Sequence, residues 1–269
     1  MLTPIPPTDL PLLCLDAGNT SVHAAVLCGM EPAGSIRLTR VEAESSEVLG
    51  GALRGLLARS HVRPSGAAVS VRPELNNCLR QASEPLLTGP LHFVTCDDCP
   101  IEMRYKQPQA LGMDRLCNAA AIHALLPDKL PGLAIDFGTA TKFDLVGHHG
   151  AYEGGAIAPG LETALQGLIG AAQLLSAVDL EAPDSPIGRT TAESLASGFI
   201  LGLAALTDGM VTRFSAAAGS DLTCVATGGY AAKIVTHCTT QMRVDPFLTL
   251  RGVRLLWEYR QRRSATSSA

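Results

Sequence analysis

The chain has 269 residues, of which 46% are apolar and 17% are charged, and its formal net charge is −4. This length allows one large domain or two ordinary ones, and the apolar content excludes a generally disordered chain. The weak acidic balance offers no electrostatic footprint for a polyanion, and the only basic cluster in the sequence, Arg260, Arg262 and Arg263, lies beside a Ser/Thr/Ala tail, so we expect no nucleic-acid partner. The eight cysteines are scattered, several of them within apolar runs, which favours a reducing, cytoplasmic location.

The N-terminal stretch 1–11 contains four prolines and has neither a positive charge nor an unbroken apolar run. Secretory signals need a charged start followed by an apolar run, and membrane anchors need a longer apolar run. We therefore predict a loose leader at this end of the chain and no membrane partner.

Two copies of one short motif stand at the ends of predicted strands. The apolar runs 12–15 and 133–135 are typical of buried strands, and they lead into Asp16-Ala-Gly-Asn-Thr20 and Asp136-Phe-Gly-Thr-Ala-Thr141. A carboxylate at a strand end can hold a hydrated cation, and the glycine that follows lets backbone N–H groups approach a phosphate. The repeat therefore predicts two related phosphate-binding domains, against the alternative of two ordinary Asp-x-Gly turns.

The first half contains further predicted elements. In chain order they are a strand at 22–27 that closes the first loop, a strand at 67–71, a helix start at Pro73, a strand at 92–95, a polar surface segment at 105–111, and a helix from Arg115 onward. The sequence Gly112-Met-Asp-Arg115 is thereby placed at a helix N-terminus.

The second half has a similar order of predicted elements. The predicted elements are strands at 133–136, 142–146 and 222–226, a turn at 147–150, a glycine-dense stretch of close backbone packing at 154–160, and helices at 161–175, 190–218 and 246–263. The last strand leads into Thr227-Gly-Gly229, another strand-to-helix turn of the kind that binds a nucleotide.

Several familiar phosphate-binding motifs are missing from the sequence. There is no G-x-x-x-x-G-K-[ST] loop and no G-x-G-x-x-G after a strand, and Asp136-Phe-Gly138 lacks the other motifs of a protein kinase. Two Asp-Gly loops and a third glycine turn remain. This layout resembles the superfamily of actin, sugar kinases and heat-shock chaperones, in which two related domains clamp ATP.

Five motifs, in order from about residue 12 to 258, resemble type III pantothenate kinases. They are Asp16 to Thr20, Gly112 to Arg115, Asp136 to Thr141, Gly154 to Gly160 and Asp245 to Leu250. The resemblance implies ATP-dependent phosphorylation of pantothenate to 4'-phosphopantothenate, the first step of coenzyme A biosynthesis, by a cytoplasmic homodimer.

The same resemblance implies an α/β fold of two ribonuclease-H-like domains, which are duplicated mixed β-sheets flanked by helices, around an ATP cleft. We expect the first domain at 1–117 and the second at 118–269, with the final helix able to pack across both.

The resemblance also implies the site residues. Asp114 is the expected catalytic base, a role that suits a carboxylate within reach of an attacking alcohol. Asp16 is expected to organise Mg²⁺ through water, and Asp136 to bind a monovalent cation, K⁺ or NH₄⁺. The ATP-binding residues would be Asp16, Ala17, Gly18, Asn19, Thr20, Ser21, Val22, His23 and Thr139. The pantothenate-binding residues would be Tyr105, Gly112, Met113, Asp114, Arg115 and Thr191.

The sequence departs from the family pattern at two positions. Met113 stands where alanine is usual, and Lys142 stands where threonine usually follows the second loop. A cation at 142 can pair with a phosphate or reduce the need for a monovalent ion near Asp136. Two alternative functions stay open: a non-catalytic regulatory accessory protein of this fold, and a related kinase of another small alcohol.

Overall fold

The computed structural model describes residues 10–58, 62–171 and 181–267. The chain divides into two compact units, the first formed by Met1–Pro127 and Phe247–Ala269 and the second by Asp128–Pro246. The domain boundary expected at 117/118 lies inside the helix Met113–Leu125, so the division falls after that helix. The last segment of the chain is part of the first unit. Of the expected leader, residues 1–9 lie outside the described ranges.

Ten strands and nine α-helices occur in the described parts of the chain. The strands are β1 Leu12–Ala17, β2 Ser21–Cys28, β3 Glu31–Thr39, β4 Ser65–Ser70, β5 His92–Phe93, β6 Gly132–Phe137, β7 Ala140–Val146, β8 Tyr152–Pro159, β9 Thr223–Thr227 and β10 Met242–Val244. The helices are α1 Arg40–Ala43, α2 Ser46–Leu57, α3 Asn76–Ser83, α4 Met113–Leu125, α5 Leu161–Ala171, α6 Thr191–Ala196, α7 Gly202–Ala218, α8 Ala231–Val235 and α9 Leu248–Ser267.

Each unit contains one five-stranded mixed sheet, and the two sheets share one topology. The first has the order β3-β2-β1-β4-β5 and the second the order β10-β9-β6-β7-β8. In the first, β1 runs antiparallel to β2 and parallel to β4, and in the second β6 runs antiparallel to β7 and parallel to β9. The expected duplicated α/β fold is confirmed.

The first sheet is covered on both faces. Successive side chains of a strand point to opposite faces, and in β1 Leu13 and Leu15 join the core formed with α2 and α3. Leu12 and Cys14 join the other core, formed with α4 and α9. Asp16 follows Leu12 and Cys14 in this alternation, so it lies on the α4 face.

Helices α4 and α9 approach each other at backbone distance. A Cβ at Gly252 of α9 would collide with the main chain of Cys117 of α4, so only glycine fits there. Two residues further along α9, Arg254 is fully buried and donates to Glu258 at 2.8 Å and to the carbonyls of Leu27 at 2.6 Å and Leu10 at 3.0 Å. These bonds fix α9 to the ends of β1 and β2, and α9 in turn holds α4.

The predicted strands and helices are largely present, with a few differences. The glycine-dense stretch 154–160 is mostly strand β8, and its close packing is confirmed because a Cβ at Gly160 would collide with the carbonyl of Gly138. The helix predicted over 190–218 is interrupted by a π-helical turn at Ser197–Leu201. The predicted end of the helix 161–175 lies outside the described residues.

The segment Thr191–Ala218 is long and apolar enough to cross a membrane by length and composition alone. Only 39% of its most apolar window is buried. Core helices of soluble proteins can be equally long and apolar, so the length and composition of this segment are weak evidence for a membrane span.

Candidate active site

The first Asp-Gly loop is fixed at both ends by backbone hydrogen bonds. The Gly18 N–H donates to the Ser21 carbonyl at 3.0 Å, and the Arg40 N–H donates to the Thr20 carbonyl at 2.9 Å. Asn19 and Thr20 at the tip are exposed. The loop therefore presents its tip to solvent from a rigid base, as a phosphate-binding loop requires.

Two carboxylates of the first unit lie near one buried thiol. Burial raises the pKa of Cys117 well above its usual value, and the negative charges of Asp16 and Asp114 raise it further. Asp16 comes from the end of β1 and Asp114 from the first turn of α4. The two acidic residues for which the resemblance implies roles in Mg²⁺ binding and as the catalytic base therefore both act on the charge of the Cys117 thiol.

Asp114 has a defined orientation. Its Oδ1 accepts the Arg115 N–H at 2.9 Å, and a Cβ at Gly112 would lie only 2.7 Å from the same oxygen. Gly112 is the N-cap of α4, so its missing side chain leaves the space that the carboxylate occupies. A carboxylate is favoured at a helix N-terminus by the helix dipole.

The other residues predicted to bind pantothenate have different surroundings. Arg115 is buried with 6% exposure. Met113 is partly buried and packs against the core, with its sulfur 3.6 Å from that of Cys96. Tyr105 is half-buried in the segment before α4. Thr191 belongs to the second unit, where it is exposed at the first residue of α6.

Arg37 is a residue of this region that sequence reasoning missed. It is the cross-strand partner of His23, and its Nη2 donates to His23 Nδ1 at 3.1 Å while its Nη1 donates to Ser21 Oγ at 3.3 Å. Burial and the nearby Arg37 charge lower the pKa of His23 to about 4, so the imidazole is neutral at pH 7. The sequence did not predict β3, so nothing placed an arginine beside the first loop.

The second loop is built in the same way at the end of β6. The Gly138 N–H donates to the Ala140 carbonyl at 3.2 Å, and the Gly160 N–H donates to the Thr139 carbonyl at 3.1 Å. The Asp136 carboxylate is paired with Lys142, whose Nζ lies 2.7 Å from Asp136 Oδ2.

The described residues include no group of three or more His, Cys, Asp or Glu side chains that could hold a metal ion. Mg²⁺ commonly binds proteins through one or two carboxylates, several waters and the phosphates of its substrate. Asp16, at the end of β1, offers one carboxylate for this mode of binding.

A family model of type III pantothenate kinases matches residues 12–213. This chain belongs to the type III pantothenate kinase family. A type III pantothenate kinase of Symbiobacterium thermophilum is 39% identical over 257 residues, which cover 92% of this chain and 96% of that protein. One from Thermus thermophilus is 37% identical over 248 residues, 90% of this chain and 96% of the relative.

Solved structures with low sequence identity share the fold. Component A of the (R)-2-hydroxyglutaryl-CoA dehydratase of Acidaminococcus fermentans superposes with a TM-score of 0.53 at 15% identity, over 94% of this chain and 98% of the other. The ethanolamine utilization protein EutJ of Carboxydothermus hydrogenoformans gives 0.53 at 15% identity, over 95% and 92%. These likenesses support the fold assignment alone.

Proposed function

We propose that this chain transfers the γ-phosphate of ATP to the primary hydroxyl of pantothenate, giving 4'-phosphopantothenate in the first step of coenzyme A biosynthesis. Membership of the pantothenate kinase family supports the reaction. The observation that carries it within this chain is the orientation of Asp114 in the first turn of α4, where its Oδ1 accepts the Arg115 N–H at 2.9 Å.

Asp114 is proposed to accept the proton of the attacking hydroxyl. Phosphoryl transfer depends mainly on positioning and on neutralisation of charge, so a base has to be oriented more than it has to be strong. The hydrogen bond from the Arg115 N–H provides that orientation. Arg115, with Tyr105, Gly112, Met113 and Thr191, is proposed to bind pantothenate, and its planar guanidinium suits either a carboxylate or a phosphoryl group.

The residues proposed to bind ATP are those of the first loop, Asp16 to His23, together with Thr139 of the second. Their support is the backbone geometry of both glycine loops, whose N–H groups and hydroxyls suit phosphate oxygens. Asp16 is proposed to hold Mg²⁺ through water. When bound, Mg²⁺ neutralises charge on the transferring phosphates.

We also propose that the protein is a cytoplasmic homodimer without nucleic-acid or membrane partners. The second unit exposes several large apolar side chains, with Ile187 76%, Leu168 41% and Leu206 40% exposed. A second copy of this chain is proposed to cover these side chains in a symmetric dimer. The weak negative charge gives no support to a nucleic-acid partner.

The experiment that tests the reaction is mass spectrometry of the products formed from Mg·ATP and pantothenate, with other short primary alcohols offered in parallel. We expect phosphopantothenate and at most traces of other phosphate esters. Phosphorylation of another alcohol in preference to pantothenate would show a related kinase of different specificity.

A variant tests the proposed base. Asp114→Asn should lower kcat by about 10²- to 10⁴-fold, the range for loss of general acid–base catalysis, with little change in nucleotide affinity. The matched control is Asp128→Asn, which removes an exposed carboxylate outside the proposed site. Near-normal turnover by Asp114→Asn would remove this residue from the role.

A further inference from the structure

The second phosphate loop contains a cation of its own. Lys142 Nζ lies 2.7 Å from Asp136 Oδ2, and the two side chains are only 16% and 13% exposed. Asp136 and Lys142 are directly opposite each other in the antiparallel pair β6 and β7. Cross-strand partners share a face of the sheet, so the register of the sheet itself places the ammonium on the carboxylate.

The other oxygen of Asp136 faces backbone. A Cβ at Gly228 would lie 2.5 Å from Asp136 Oδ1, and a Cβ at Gly138 would lie 3.5 Å from it. Gly228 has a φ of 93°, in the left-handed region that favours glycine. Lys142 therefore covers one oxygen while two glycine turns enclose the other.

The family resemblance implies a monovalent cation at Asp136, but the surroundings of this carboxylate do not fit such a cation. The cation would share the carboxylate with the Lys142 ammonium, and two like charges on one carboxylate repel each other strongly when they are partly removed from water. The single negative charge of Asp136 is already balanced.

The first loop differs at the equivalent position. Asp16 is directly opposite His23 in the pair β1 and β2, just as Asp136 is opposite Lys142 in the pair β6 and β7. His23 is neutral at pH 7, because burial and Arg37 lower its pKa to about 4. The cross-strand partner in the first loop is thus uncharged, whereas in the second loop it is a cation.

We infer that the Lys142 ammonium takes the place of the monovalent cation in the second loop, so that the kinase needs no K⁺ or NH₄⁺. This inference rests on the proposed function. A lysine ammonium provides one positive charge and three N–H donors at a fixed position, and as part of the chain it is present at any salt composition.

The test compares initial rates of ADP formation with Mg·ATP and pantothenate in potassium chloride and in tetramethylammonium chloride at equal ionic strength. The wild-type rate should agree within about twofold between the two salts. Lys142→Thr, which carries the residue usual in the family, should lose at least tenfold in tetramethylammonium and regain activity on addition of K⁺ or NH₄⁺. The matched control Lys129→Thr removes an exposed lysine of the same unit and should behave as wild type.

A tenfold or larger loss of wild-type activity without K⁺ would overturn the inference, and so would a Lys142→Thr variant that no cation rescues. Lys142→Met, which keeps most of the side-chain volume, repeats the test if the threonine variant does not fold.

A second readout separates the inference from the kinase function. K⁺ should raise the Tm of Lys142→Thr in the presence of Mg·ADP, relative to tetramethylammonium, and should leave the wild-type Tm unchanged, because ligands stabilise the state that binds them. If the wild type forms no ADP in any salt, the proposed function fails, while this Tm difference still supports or refutes the cation replacement.

Discussion

Gly112 should control catalysis through the position of the Asp114 carboxylate. A Cβ at residue 112 would lie 2.7 Å from Asp114 Oδ1, whereas ordinary contact begins at 3.4 Å. In Gly112→Ala the carboxylate must therefore retreat by about 0.7 Å or turn away from the Arg115 N–H. Since a misplacement of about 1 Å can cost about 10²-fold in rate, we expect kcat to fall by about 10- to 100-fold.

Stability should change little in this variant. Gly112 has φ −59° and ψ 127°, a conformation that alanine adopts without strain, and the next nearest atoms to the added Cβ are 3.9 Å away. Loss of a good N-cap residue costs about 1 kcal/mol or less, and the lower entropy of the unfolded chain offsets about 0.4–1 kcal/mol of it.

Steady-state kinetics and urea denaturation of Gly112→Ala test these expectations together. Gly89→Ala is the control, because Gly89 is exposed and a Cβ there would meet nothing within 4 Å. A kcat within twofold of wild type would refute the reasoning about Gly112. A large loss of stability would show that the substitution acts on the fold instead.

Substitutions at four further positions probe the first unit. Asp16→Asn should raise the Mg²⁺ and ATP concentrations that are needed for half-maximal rate. Unchanged dependence of the rate on both would contradict the assignment of Asp16 to the phosphate loop. Arg254→Met should lower the free energy of unfolding in urea by about 3–5 kcal/mol, because it leaves Glu258 buried without its partner. The double variant with Glu258→Met should recover only part of that loss, because the carbonyls of Leu27 and Leu10 still lack the donor that Arg254 provides. The pKa of His23 is about 4 in the folded protein against 6.5 in the free side chain, so as the pH falls the unfolded chain binds this proton at a higher pH than the folded chain does. Stability should therefore fall as the pH drops from about 6.5 towards 4, and a His23→Gln variant that kept the same pH dependence would exclude His23 as its source.

The duplicated fold could be predicted because its strands carry strong local patterns. The apolar run before Asp16 and the matching run before Asp136 each end in a glycine turn, and both form central strands. The strand β3 was missed because it lies at the sheet edge and begins with Glu-Pro-Ala-Gly, residues that are disfavoured in strands. Only Ile36 and Leu38 in its second half alternate as large apolar residues, which is too short a run to predict a strand. Consequently Arg37, which this strand carries, could not be placed beside His23.

The sequence predicted residue types for the candidate site but not their electrostatics. The sequence indicated that Lys142 lies near the second loop and left open whether it meets a phosphate or affects a cation. Only the register of β6 against β7 shows that it is directly opposite Asp136. The orientation of Asp114 likewise depends on the space left by Gly112, which is a three-dimensional property of the helix start.

The most direct test of the proposed reaction is ADP release by the purified protein with Mg·ATP, measured with and without pantothenate. We predict ADP release that requires pantothenate in the wild type and falls by at least 10²-fold in Asp114→Asn. If the protein binds ATP but releases no ADP either with or without pantothenate, the kinase assignment for this chain would be contradicted.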